Sequence, residues 1–219
     1  MPAIMPLPFV LSFYVLCSAF FVTLVSMGDY DDLILETPRL TLRLPRLADL
    51  DPWSAMMADE ETARFIGGVA ERAVCWRQLM TVIGSWHALG FGMFAVIEKS
   101  SGRWLGRVGP WQPEGWPGTE IGWALVRDCW GRGYASEAAA RTMHWAIETL
   151  GWTDIIHSIA PGNVASQRVA QKLGSRNRGP GILPPPYVND AVDIWGQTAE
   201  EWRGKNRHLE GGQWGGLGD

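Results

Sequence analysis

Residues 129–141 read CWGRGYASEAAAR, two glycines one residue apart followed by a run of small residues. Glycine is costly inside a helix, which places Gly131 and Gly133 just ahead of one. The helix that follows covers about 134–150, and its Ala135, Ala138, Ala139, Met143 and Ala146 recur at i, i+3, i+4 spacing. A face of residues this small lets a helix lie close against a sheet. Its first turn carries unpaired N–H donors and a partial positive charge, and the two glycines would let an anion approach them. The segment therefore asks for a sheet beneath it and an anion at its start.

The remaining periodicity supplies the sheet. RLTLRLPR (39–46) alternates apolar and polar residues, the period of a strand. Residues 48–57 read as a helix with Asp49 and Asp51 early, and a second helix covers about 74–89, stopped by Gly90. MFAVIEK (93–99) and RWLGRVGPW (103–111) form a hairpin about the SSG turn, and TEIGWALV (119–126) is the strand that feeds the glycine turn. TDIIHSIA (153–160) is a further strand. Asn163 caps a helix that Gly174 terminates, and AVDIWGQT (191–198) is a final strand. This order describes one α/β domain with a mixed sheet.

Composition narrows the function classes. The chain has 219 residues, 47% hydrophobic and 19% charged, enough for one domain with a proper core. A net charge of −4 lacks the basic surplus of nucleic-acid binders. The cysteines Cys17, Cys75 and Cys129 form no CxxC, and the four histidines form no HxH or HExxH, so neither a disulfide framework nor a metal site is expected.

The two ends differ from the middle. Residues 1–26 carry no charge, and 9–27 form a stretch of 19 residues without charge or proline, close to the length of a membrane span. No Lys or Arg precedes Arg39, so the segment lacks the positive flank of a secretory signal. Three readings follow: a start assigned upstream of Met27 on a cytoplasmic protein, a membrane anchor, or a helix packing on a partner or on the domain itself. Residues 203–219 are rich in glycine and polar residues and read as a loose tail.

Four pieces in order carry a family resemblance: ETPRLTLR, GFGMFAVIEKSSGRWLGRVG, TEIGWALVRDCWGRGYASEA and NVASQRVAQKLG. Together they resemble the GCN5-related N-acetyltransferase (GNAT) superfamily, in its Rim-type branch of ribosomal-protein N-terminal acetyltransferases, over about 35–202. The resemblance implies a single domain with a mixed, mostly antiparallel twisted sheet flanked by helices. It also implies acetyl-CoA as co-substrate, an amine acceptor and a homodimer as an open option. The family's pyrophosphate loop has the form Q/R-x-x-G-x-G/A. Trp130 stands here at its first position, with Gly133 and Ala135 at the small ones. Gly131, Arg132, Gly133, Tyr134, Ala135 and Ser136 are thus the expected pyrophosphate cradle. Leu125, Val126 and Arg127 are expected to pair through their main chain with the pantetheine arm, and Asn163 to bind that arm.

Acetyl transfer needs a neutral amine, a donor for the developing oxyanion, and a thiolate that departs with little acid help. Glu120, on the strand that leads into the turn, is the expected base, with a surface salt bridge as the structural alternative. Ser166 is expected to touch the cofactor sulfur or a nearby water, with helix capping as the alternative. The family often places a tyrosine acid four residues before the closing glycine, where this chain has Ala170. Ser175 replaces the Phe or Met usual after LG. Cys129 is read as a small buried residue. Trp111, Trp116 and Trp123 are either walls of the acceptor site or core. Two functions follow: an N-acetyltransferase of small or peptide amines, or a catalytically weak acyl-CoA-binding sensor of the same fold.

Overall fold

A computed structural model describes residues 32–206. The apolar segment 1–26 and residues 207–219 lie outside these, as does the question of an anchor through 9–27. No helix among the described residues is long and apolar enough to cross a membrane.

The chain opens with strands β1 (Ile34–Glu36) and β2 (Leu40–Arg43), then helices α1 (Leu50–Ala58), α2 (Glu60–Ala63) and α3 (Arg72–Leu89). Strands β3 (Phe94–Glu98), β4 (Trp104–Trp111) and β5 (Glu120–Leu125) follow and lead into helix α4 (Tyr134–Thr149). Strand β6 (Asp154–Ile159), helix α5 (Val164–Leu173), strands β7 (Arg176–Gly181) and β8 (Val192–Thr198) and helix α6 (Ala199–Lys205) complete it. The eight strands form one sheet in the order β1-β2-β3-β4-β5-β6-β8-β7. Every neighbouring pair is antiparallel except β5 and β6. The architecture is the expected mixed, mostly antiparallel sheet flanked by helices.

Four elements go beyond the sequence reading, the first being the single-turn α2, whose N-cap Asp59 accepts from the Thr62 N–H. β1 has only three residues, too few for an alternation to show. β7, RNRGPG, lies between the helix that Gly174 ends and the strand expected at 191–198; it pairs only with β8 as an edge strand, where glycine and proline are tolerated. α6 is opened by a capping box in which Thr198 and Glu201 satisfy each other's backbone N–H groups. Residues 203–205, expected in the tail, are therefore the last turn of a helix whose Trp202 is almost fully buried.

The sheet separates two cores. On one face α4 brings Ala138, Ala139, Ala140 and Ala146, all at 0% exposure, down onto Phe94, Val96, Leu105, Val108 and Ile121. The absence of larger side chains there is what allows the close approach. On the other face α1 and α3 set Trp53, Met57, Cys75 and Leu79 against Ala95, Trp104 and Ala124. Each fully buried Leu or Phe in these layers contributes roughly 1.5–3 kcal/mol relative to an exposed one.

Candidate active site

β5 and β6 run parallel but share a single rung, Glu120 opposite Ile156. Beyond it β6 stays with β8 and β5 stays with β4, so a wedge opens between them. The Val126 N–H donates to the Leu105 carbonyl at 2.9 Å. That bond fixes the alternation along the antiparallel β4–β5 pair, so the peptide groups of Ile121, Trp123 and Leu125 point away from β4 and into the wedge. Two of the carbonyls are already used: Ile121 accepts from His157 Nδ1 at 2.7 Å and Leu125 from Trp130 Nε1 at 2.8 Å. The Leu125 N–H and both peptide groups of Trp123 face the open gap. Val126 and Arg127, the other two expected main-chain partners, follow the end of β5. The Val126 N–H belongs to the sheet, its carbonyl accepts from Cys129, and the Arg127 carbonyl accepts from the Trp130 N–H. The Arg127 side chain lies 3.5 Å from Asp59 at the surface.

His157 is the plug at the throat of the wedge. A carbonyl can only accept, so Nδ1 carries the proton and Nε2 accepts from the Ser175 hydroxyl at 3.0 Å. Ser175 in turn accepts from Gln197 Nε2 at 3.0 Å. Burial lowers the His157 pKa to about 4 and keeps the ring neutral. Ser175, which departs from the family's usual residue, is thereby accounted for: a Phe or Met there would leave the imidazole unsatisfied.

The glycine turn stands at the open end of β5. Gly131 and Gly133 have φ of +73° and +78°, the left-handed region that L side chains adopt at a cost. Gly133 is the N-cap of α4 and supplies no side-chain cap. The first intrahelical bond runs from the Glu137 N–H to the Gly133 carbonyl, which leaves the N–H groups of Tyr134, Ala135 and Ser136 without helical partners. Arg132 is exposed beside them. The turn is pinned from outside: Glu137 accepts from the Thr37 hydroxyl at 2.6 Å and from Arg39 Nε at 2.6 Å, and Arg39 Nη1 reaches the Arg132 carbonyl at 2.9 Å.

At the Glu120–Ile156 rung and along the split beyond it lies a cavity of about 780 Å³, lined by Ile121 and Trp123 of β5 and Ser158 and Ile159 of β6. Glu120 is on its wall, 7% exposed. Its Oε2 accepts from Trp116 Nε1 at 2.6 Å and from the Ser158 hydroxyl at 2.8 Å. Oε1 accepts no hydrogen bond among the described residues and lies on the Gly122 side of the strand, where the Met93 methyl also packs. Burial raises the Glu120 pKa to about 7, against the hydrogen bonds from Trp116 and from the Ser158 hydroxyl and backbone N–H and against the Arg107 charge, which act the other way. The expected base is therefore a buried carboxyl with one free oxygen, and a surface salt bridge is ruled out.

Asn163 and Ser166 line the same cavity. Asn163 Oδ1 caps α5 by accepting from the Ser166 N–H at 3.1 Å, and the Ser166 hydroxyl accepts from Trp123 Nε1 at 3.1 Å. Trp111, Trp116 and Trp123 all line it and so act as walls. The cradle residues 131–136 do not line it: they stand at the other end of the wedge. Sequence reasoning missed Arg107 and Tyr187, which also line the cavity. Arg107 was hidden as one polar position in an alternating strand, and Tyr187 lies in the proline-rich stretch 180–190, which has no periodicity to read. Cys129 is buried and donates Sγ–H to the Val126 carbonyl; burial pushes its thiol up to about 11, so it is no nucleophile. Ala170 is fully buried against Ile159 and Trp195 and does not line the cavity.

A sheet split at one parallel pair, with a glycine turn and helix at the mouth, can be compared with known proteins. The family model described as acetyltransferase (GNAT) domain matches residues 39–176. The chain belongs to that family. An uncharacterized N-acetyltransferase, p20 of Bacillus licheniformis, is 28% identical over 66% of this chain and 83% of its own length. The uncharacterized protein YkkB of Bacillus subtilis is 37% identical, but over 39% of this chain and 51% of its own, so the match spans about half of that relative. Among solved structures, an acetyltransferase from Agrobacterium tumefaciens is 28% identical with a TM-score of 0.66, covering 75% of this chain and 94% of its own. A ribosomal-protein-serine acetyltransferase from Vibrio cholerae has a TM-score of 0.65 over 77% of this chain and 98% of its own, and at 18% identity it shares the fold.

Proposed function

We propose that this GNAT protein is an acetyl-CoA-dependent N-acetyltransferase of the Rim-type branch, passing acetyl directly to a primary amine. The observation that carries the reading is Glu120: a buried carboxyl with a near-neutral pKa and one free oxygen, on a cavity at the point where the sheet splits.

The chain's groups fit the co-substrate. The unpaired N–H groups of Tyr134, Ala135 and Ser136, with Gly131 and Gly133 leaving the backbone open, suit a pyrophosphate; Arg132 adds charge. The Leu125 N–H and the Trp123 peptide groups are the edge on which a pantetheine amide can pair. Acetyl-CoA supplies an activated thioester there. Glu120 Oε1 removes the proton that an ammonium must lose before it attacks. Its pKa of about 7 is close to the ~8 of an α-amino group and far from the ~10.4 of lysine, which favours α-amines. A β5 N–H facing the wedge stabilises the charge that develops on the acetyl oxygen. With Ala170 sealed in the core, the departing thiolate has no tyrosine from α5. Its own pKa of roughly 8.5 lets it leave without one.

The second reading, an acyl-CoA-binding protein with little turnover, rests on the same Ala170. Calorimetry with acetyl-CoA, followed by an amine screen on wild type and Glu120→Gln, separates the two. Micromolar binding with turnover that the variant loses supports the enzyme. Binding without turnover on any amine supports the sensor.

A further inference from the structure

Arg107 projects from the middle of β4 into the acceptor cavity, and no carboxylate pairs with it among the described residues. Its guanidinium lies 4.8 Å from the centre of the Trp53 ring. Its Nη1 meets the Met93 sulfur at 2.9 Å, and a thioether is a weak acceptor. Its Nε is sealed from solvent and has no acceptor. A guanidinium taken from water without a carboxylate is costly to the fold. The cost is visible in its acidity, pushed down to about 10 by burial. A purely structural position would accept Met or Leu at lower cost.

The strand register places this cation on the same floor as the base. Arg107 is opposite Ala124, and Trp111 is opposite Glu120; the paired glycines Gly109 and Gly122 lie between them. Residues alternating along these strands share one face, so Arg107 and Glu120 both rise from it, four residues apart in register, about 13 Å between backbones before the side chains lean inward. The titratable groups around Arg107 are Glu120, Tyr187 and Cys75. The Oε2 of Glu120 is held by Trp116 and Ser158, which leaves Oε1 for the amine. Arg64 and Asp190 also line the cavity, but both are exposed at its rim.

We propose that the acceptor is a small amine that itself carries a carboxylate, with its amine at Glu120 Oε1 and its carboxylate on the Arg107 guanidinium. The inference rests on the acetyltransferase reading of this cavity. A carboxylate supplies the acceptor that Nε lacks and can bind a guanidinium through two parallel hydrogen bonds. Trp111 and Trp116 give the body of such a molecule apolar walls, and a cavity of about 780 Å³ is sized for a small ligand.

The test is binding measured apart from turnover. The protein saturated with CoA is titrated calorimetrically with amines and their carboxamides in pairs: β-alanine, 4-aminobutyrate, L-methionine and L-phenylalanine, each against its amide. At least one acid is expected to bind about 10- to 100-fold more tightly than its amide, the range for a hydrogen-bonded charged group. Arg107→Met is expected to bring that ratio close to one, and Arg107→Lys to keep part of it. Amides that bind as tightly as acids in every pair overturn the proposal, as does a ratio that survives Arg107→Met or a panel in which no acid binds. If neither variant folds, the wild-type ratio decides. Turnover of the same pairs with acetyl-CoA is read separately. A carboxylate preference in binding with no acetylation keeps this inference and removes the enzyme reading, whereas acetylation of acids and amides alike does the reverse.

Discussion

His157 Nδ1 donates to the Ile121 carbonyl at 2.7 Å, one residue beyond the Glu120–Ile156 rung that last joins β5 to β6. The imidazole thus occupies the throat of the split, with a buried carboxyl on the adjacent position of β5. The two groups titrate in opposite senses. His157 has a folded pKa of about 4 against 6.5, so its contribution is present above 6.5 and is lost as pH falls toward 4. Glu120 has a folded pKa of about 7 against 4.5, so its contribution is present below 4.5 and is lost as pH rises toward 7. Between 4.5 and 6.5 they oppose each other. Urea unfolding in that window is expected to show little net slope from this pair in wild type. Glu120→Gln should leave stability rising with pH and gain on the order of 3 kcal/mol over wild type at pH 8. Equal slopes in wild type and variant would remove the burial account of Glu120.

Activity should report the same carboxyl. A base must be ionised to accept a proton, so kcat/KM is expected to rise with pH and level off near 7. Glu120→Gln keeps an acceptor for Trp116 and Ser158 but removes the base, and should lower the rate about 10²- to 10⁴-fold and flatten the pH profile below 8. Acetyl-CoA affinity, measured by calorimetry, should stay within about threefold because the cradle is elsewhere. A normal rate in this variant would move the proton to another group.

Much of this arrangement was open to sequence reading, and the reasons differ by element. β2 to β6, β8, α1 and α3 to α5 announce themselves through period and glycine stops, because each buries one face. β7 does not, since an edge strand of RNRGPG carries no apolar alternation. α6 is short, and its one legible signal, Thr198 with Glu201 three residues on, falls where a strand ends and a polar tail begins. Within the site, Glu120 and the glycine turn could be placed because their chemistry is local in sequence. Arg107 could not, because its missing partner is a three-dimensional fact. The role of Ser175 is likewise not local, because His157, whose ring it satisfies, lies 18 residues away.

The glycine turn gives a direct check on the cofactor. Gly133→Glu adds bulk and negative charge where three N–H groups are unpaired, and should weaken CoA binding at least 100-fold by calorimetry. Gly133→Ala carries the same penalty for φ of +78°, on the order of 1 kcal/mol, without the charge. It should therefore match Gly133→Glu in melting temperature more closely than in affinity. Equal CoA affinity in the two variants would place the phosphates elsewhere.

The core position Ala170 explains why the family's tyrosine is not simply restorable here. Its side chain is fully buried against Ile159 and Trp195, with Gly174 closing α5 four residues on. Ala170→Tyr should destabilise by about 1–3 kcal/mol through overpacking, with no gain in kcat. A variant as stable as wild type and faster would show that the helix can turn this position toward the wedge.

The grip of Arg39 on Glu137 predicts coupling between the first strands and the cofactor turn. Glu137 is buried and collects donors from Thr37 and Arg39, while Arg39 also covers the Tyr134 ring at 4.6 Å and holds the Arg132 carbonyl. Removing one partner leaves a carboxylate in a dry site, whereas removing charge from both costs less. Arg39→Met is therefore expected to lose about 2 kcal/mol in urea unfolding and to weaken CoA binding several-fold as the N-terminal turn of α4 loosens. The pair Arg39→Met with Glu137→Gln should recover part of the stability but little of the affinity, because the Arg132 carbonyl is still released. If the double variant regains full CoA affinity, the turn is held by α4 alone and the first strands play no part in positioning it.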